Sequence, residues 1–148
     1  MIENHHKNIA TFIHLSTFAR FIFPFGNFIG PLILWVANKD KSEFIDKHGK
    51  QAINFQISIL LYCLVIGAIT IPFFIFNFFN GLDFINFHDI GNFDFNLRRP
   101  FPLLIFTGVL GGLAILAFIL EIVFIIKASL AARDGEDFKY PLTINFLK

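Results

Sequence analysis

Three long apolar stretches divide this chain, at residues 9–37, 53–79 and 101–126. A helix needs about 20 apolar residues to cross the ~30 Å hydrocarbon core of a bilayer. The second and third stretches meet that length without a charged residue in their first twenty positions. The first is long enough but interrupted, by Arg20, Pro24, Gly26, Asn27, Gly30 and Pro31. The pattern predicts an all-α fold, a polytopic membrane helical bundle of three main hydrophobic segments, forming one integral membrane domain over 1–148. The first segment is expected to be a single span kinked at Pro24–Asn27. A re-entrant pair of half-helices is the alternative, because neither half can cross alone. Residues 80–100 then form a small Phe-rich outer loop, and 127–148 a cytoplasmic tail.

The polar positions inside these stretches are patterned too. The run "FIDKHGKQAINFQISILLYCLV", residues 44–65, passes from charged to apolar with no breaker between. It reads as one helix that starts in the cytoplasmic interface near Ser42 and continues into lipid. At 100° per residue, Lys47, Lys50, Gln51, Asn54, Ser58 and Tyr62 form one polar stripe, with Gln56 on the other side. Phe44, His48, Ala52, Phe55 and Ile59 form a neighbouring, mostly apolar face. In the first segment Ser16, Thr17, Arg20, Pro24, Asn27 and Pro31 share a face. Proline leaves a backbone carbonyl unpaired four residues back. In lipid such groups must be satisfied by protein or by water. The two polar faces are therefore expected to meet as a seam, with Glu121 of the third segment near it. Depth disfavours a direct Arg20–Glu121 pair in a straight first segment. Arg20 would lie roughly 25 Å from the cytoplasmic end, and Glu121 only about 9 Å. Glu121 is expected to meet Gln56, Ser58 or Tyr62 instead.

Smaller signals complete the map. Gly108 and Gly112 are four apart, which permits close helix packing in lipid, within the monomer before any dimer. Phe93, Phe95 and Leu97 alternate with polar residues, so the 81–100 loop reads as a small hairpin. In the tail, Leu142, Ile144 and Phe146 alternate likewise, placing it on the interface or against the helix ends.

Composition sharpens the membrane reading. Hydrophobic residues make up 55% of the chain and charged residues 16%, against about a quarter charged in soluble domains. A formal net charge of +1 suggests no nucleic-acid surface. With three crossings, Lys39, Lys41, Lys47, Lys50, Lys127, Arg133, Lys139 and Lys148 share one side, and Lys7, Arg98 and Arg99 the other. The positive-inside rule then puts the C-terminus in the cytoplasm and the N-terminus outside. A re-entrant first segment would bring the N-terminus inside. The lone cysteine, Cys63, sits in an apolar run and is read as packing or lipid-facing. Five histidines show no metal-protease spacing, no serine occupies a nucleophile elbow, and no phosphate-binding glycine loop is present. No catalytic residue, cofactor or metal is expected. His48 is read as making a local interfacial hydrogen bond.

The stretches "HLSTFARFIFPFGNFIGPLILWVANKDKSEFIDKHGKQAINFQISILLY" and "GEDFKYPLTINF" together resemble a bacterial membrane family, domain-of-unknown-function family 4870, often called Tic-twenty-like. Relative to its short members, the 81–100 loop looks like an insertion. The resemblance implies a multi-pass inner-membrane protein, and by analogy an accessory or structural subunit of a protein-translocation or envelope complex. The expected partners are lipid and other membrane subunits, or further copies of the chain. The competing reading is an oligomeric carrier or small channel for an ion or polar solute, its path lined by Arg20, Asn27, Asn54, Ser58 and Glu121.

Overall fold

A computed structural model of the chain describes residues 3–81 and 101–148. The described residues form α1 (Asn4–Leu15), a 3-10 turn (Ser16–Phe21), α2 (Gly26–Val36), α3 (Glu43–Gly81) and α4 (Phe101–Asp134). The hairpin expected at 81–100 lies outside the described residues. Two helices are long and apolar enough to cross a membrane, over Glu43–Phe76 and Leu104–Asp134, with mean hydropathies of 2.6 and 2.8.

The first apolar segment is not one kinked helix. Its 12-residue α1 and 11-residue α2 span about 18 Å and 16 Å, each short of a bilayer core. They fold against each other as a hairpin. Phe25 takes the left-handed conformation, φ 61°, and turns the chain. Pro24 sits in that turn rather than bending a helix, and Pro31 is buried inside α2. Two glycines let the halves touch. A Cβ on Gly26 would lie 2.2 Å from the Ala19 carbonyl oxygen, and one on Gly30 would lie 2.5 Å from that of Ser16. The hairpin therefore needs glycine where the sequence reading saw only helix breakers.

α3 begins where the charge pattern placed it. The Ser42 hydroxyl accepts from the Phe44 N–H at 3.2 Å, and Glu43 and Asp46 lie in the first turn, favourably near the helix dipole's positive end. α4 ends in a Schellman cap. Gly135, at φ 84°, donates its N–H to Ala132 O, and Glu136 donates to Ala131 O.

The chain divides into two units. The first comprises Met1–Tyr62 and Ile119–Lys148. Its core joins α1, α3 and α4 through Ala10, Phe44 and Ala132, and packs Ile13 against Ile45 and Ala52. A third cluster holds Phe55, Ile125, Ala128 and Tyr140. The Tyr140 ring stacks on Phe55 at 4.0 Å, which anchors the tail to the helices. In the second unit, Cys63–Phe118, many of the described residues expose apolar side chains. Within it, Phe73 and Phe106 pack at 4.5 Å between ring centres. Among the described residues, a Cβ on Gly108 or Gly112 would meet nothing within 4 Å.

Candidate functional site: a bonded polar seam

The polar residues of the apolar stretches gather in the first unit, but not in the arrangement their faces suggested. Arg20 donates to the Glu121 carboxylate at 2.7 Å. The depth argument against this pair assumed a straight first segment. The reversal at Phe25 brings Arg20 back beside α4, so the premise fails and the pair forms. Glu121 also accepts from Gln56 at 3.4 Å, as expected, and Gln56 in turn accepts from Asn27 at 2.8 Å. Asn27, Gln56, Glu121 and Arg20 thus form one chain linking hairpin, α3 and α4. Glu121 and Gln56 are buried, and a charge so placed is tolerated only when paired and hydrogen-bonded. Ser16 and Thr17 are local: each hydroxyl bonds a carbonyl three residues back, at Ile13 and His14.

The stripe on α3 faces a different partner from the one expected. Asn54 donates to Leu147 O at 3.0 Å and accepts from Leu147 N at 2.9 Å. Ser58 accepts from Ile144 N at 2.9 Å, and the Tyr62 hydroxyl donates to Leu142 O at 2.7 Å. The stripe therefore holds the backbone of the C-terminal tail, not helix one. Gln56, which the helical wheel set apart, meets the hairpin through Asn27. At the outer end of the stripe Lys47 pairs with Asp137 of the tail, and Lys50 with Asp46 one turn back.

A second buried chain escaped the sequence reading. His14 of α1, His48 of α3 and Tyr140 of the tail are each at most 1% exposed. His14 Nε2 and His48 Nδ1 lie 2.8 Å apart, and Tyr140 Oη lies 2.9 Å from His14 Nδ1. The order that satisfies most groups has Tyr140 O–H donating to His14 Nδ1, and His14 Nε2–H donating to His48 Nδ1. It leaves His48 Nε2 buried beside the Glu136 backbone without a well-formed hydrogen bond. Burial, and secondarily the neighbouring His48, lowers the His14 pKa from its ordinary 6.5 to about 3. Burial pushes the Tyr140 phenol far above its usual range. Both groups are neutral at physiological pH, which suits a packing lock. The three residues lie 34 and 92 positions apart, so no local spacing could have joined them. The signal available was the presence of His14, His48 and Tyr140 within the conspicuous stretches "HLS", "KHGK" and "KYPL".

Among the described residues no group of three histidine, cysteine or acidic side chains is placed to hold a metal. Trp35 is tied to α3 by its indole N–H, which donates to Asp46 at 2.9 Å.

A short-helix hairpin is braced, with its ionisable groups paired, against two helices long and apolar enough to cross a membrane, the features of a helical membrane protein. The chain belongs to the magnetosome magnetite crystal formation protein family, whose model matches residues 5–147. No curated protein and no solved structure matches it. This membership replaces the Tic-twenty-like resemblance, and the translocation role that it implied is left without support. The stretches that carried the resemblance are those that build the hairpin, the start of α3 and the docked tail. They specify a way of packing, and packing alone does not fix function.

Proposed function

We propose that this chain is a non-enzymatic integral membrane component that takes part in forming a magnetite crystal. The family match across 5–147 carries the process. The bonding of the seam supports the role. Arg20 is committed to Glu121, Asn27 to Gln56, and Asn54 and Ser58 to the tail. The residues that a carrier or channel would need along its path are thus spent as cross-braces.

α3 and α4 are the membrane crossings in this reading. The α1–α2 hairpin enters one leaflet from the cytoplasmic side and returns. Its tip is apolar and open, with Phe21, Ile22 and Phe25 at 64%, 83% and 70% exposed. Lys7, beside the end of α4 through its bond to the Asp134 carbonyl, joins the cytoplasmic side. Of the lysines and arginines flanking the crossings, only Arg98 and Arg99 would then lie opposite, a stronger bias than three crossings give. The protein is placed in the bacterial inner membrane with both termini cytoplasmic, among lipid and the other membrane proteins of the assembly.

The test is removal of the gene from a magnetosome-forming bacterium, with crystal number, size and habit measured by electron microscopy. Altered crystals, restored by the intact gene, are expected. Crystals indistinguishable from those of the parent contradict the proposal. Purified protein in liposomes gives the second readout: solute flux no higher than in empty vesicles is expected, and flux abolished by Arg20→Ala would favour a carrier.

A further inference from the structure

The docked tail poses a physical problem. It is non-helical, so its backbone lacks the internal ladder that lets a chain sit in lipid. Yet it lies along α3 from Tyr62 back to Asn54, within the apolar length of that helix. Three side chains solve this for one edge of the tail, since Asn54, Ser58 and Tyr62 bond backbone groups of Leu147, Ile144 and Leu142. The apolar side chains of Leu142, Ile144 and Phe146 are exposed, whereas the exposed Asn145 shares a groove with Lys47, Lys50 and Lys148. Leu142 is 84% exposed, Ile144 40% and Phe146 47%. They join exposed apolar residues of the same unit, Leu60 and Leu61 on α3 and Leu120 and Val123 on α4.

We infer that the tail segment 142–147 is itself embedded in the cytoplasmic leaflet as an extended strap, with the side chains of Leu142, Ile144 and Phe146 in contact with lipid acyl chains and Asn145 toward the polar headgroups. The inference rests on the membrane reading of α3 and α4. Non-helical backbone at membrane depth is tolerated where protein satisfies it. That explains why three polar residues recur on one face of an otherwise apolar helix. The chain leaves α4 at the Gly135 cap, passes the buried Tyr140, and reverses at Leu142, where φ is 57°. It then climbs back toward the interface. From Tyr62 to Asn54 the α3 register rises eight residues, so Leu142 lies about 12 Å deeper than Leu147. The surface fits lipid better than water because Leu60, Leu61, Leu120 and Val123 of the same unit are apolar and exposed as well, with Lys47, Lys50 and Lys148 at its shallow end.

Site-directed spin labelling tests this in phosphatidylethanolamine–phosphatidylglycerol vesicles. In a Cys63→Ala background, single labels are placed at Leu142→Cys, Ile144→Cys and Phe146→Cys. Lys139→Cys serves as the aqueous control and Ile115→Cys, on α4, as the lipid control. The three tail labels are expected to be more accessible to oxygen than to a water-soluble nickel chelate, most so at 142. Replacing the stripe, as Asn54→Ala with Ser58→Ala and Tyr62→Phe, is expected to move them toward the Lys139 pattern. Tail labels as wet as Lys139, with Ile115 in lipid, overturn the strap alone. An aqueous Ile115 label overturns the membrane reading and the strap with it.

Discussion

At the scale of single residues, two buried polar contacts bear most of the weight. The Arg20–Glu121 pair is unequal: the arginine side chain is 24% exposed and the glutamate 8%. Removing the arginine leaves the more deeply buried charge alone. Arg20→Ala should therefore destabilise the protein by about 3 kcal/mol, read as a lower melting temperature in detergent. The double variant Arg20→Met with Glu121→Met should recover most of the loss, since it strands no charge. The His14–His48–Tyr140 chain gives a pH signature. The His14 pKa is about 3 when folded and 6.5 when free. Between those values the unfolded chain binds more protons than the folded one. Stability is therefore full above about pH 6.5 and falls as pH drops toward 3, by about 1.4 kcal/mol per pH unit for this group. Thermal melts from pH 7.5 to 4.5 should show the decline. His14→Gln should be less stable at neutral pH and have a flatter profile. The sequence marked Arg20 and Glu121 as unusual but could not pair them. Their contact depends on a chain reversal at a phenylalanine, and phenylalanine is a poor left-handed residue. His14 was not singled out at all, because a buried neutral histidine looks the same in sequence as a solvated one.

At the scale of elements, the hairpin and the α3 stripe carry the account. The contact between the 3-10 turn Ser16–Phe21 and α2 has no room for side chains at Gly26 or Gly30. Gly26→Ala should cost about 1–3 kcal/mol, because backbone and not a movable side chain stands in the way. Phe25→Gly should be neutral or slightly stabilising, since it removes left-handed strain of about 1 kcal/mol at an exposed position. A loss comparable to that of Gly26→Ala would show that the Phe25 ring itself matters to the turn. Helix periodicity located α3 and its stripe well, because a single long helix obeys one angular rule. It could not say what the stripe faces. Two polar surfaces suggested each other, whereas the real counterpart is backbone, and backbone carries no residue signature. Tail residues Leu142, Ile144 and Leu147 contribute through their amides and carbonyls, so their side chains advertised nothing of it.

At the scale of the whole molecule, hydropathy gave the helical class and the two long spans. The third crossing is not confirmed, because length alone did not reveal that the halves of the first segment fold back on each other. In the proposed reading, two crossings with a folded-back hairpin would put Lys7 on the cytoplasmic side and both termini together. They also turn a supposed conduction path into bracing, which suits a membrane component of crystal formation better than a carrier. The most direct measurement of this account is the side on which the N-terminus lies. Spheroplasts expressing His5→Cys or Lys139→Cys in the Cys63→Ala background are treated with a membrane-impermeant maleimide, before and after permeabilisation. The account predicts that both positions react only after permeabilisation. Labelling of His5→Cys in intact spheroplasts, with Lys139→Cys still protected, would mean that the first segment crosses the membrane and would contradict it.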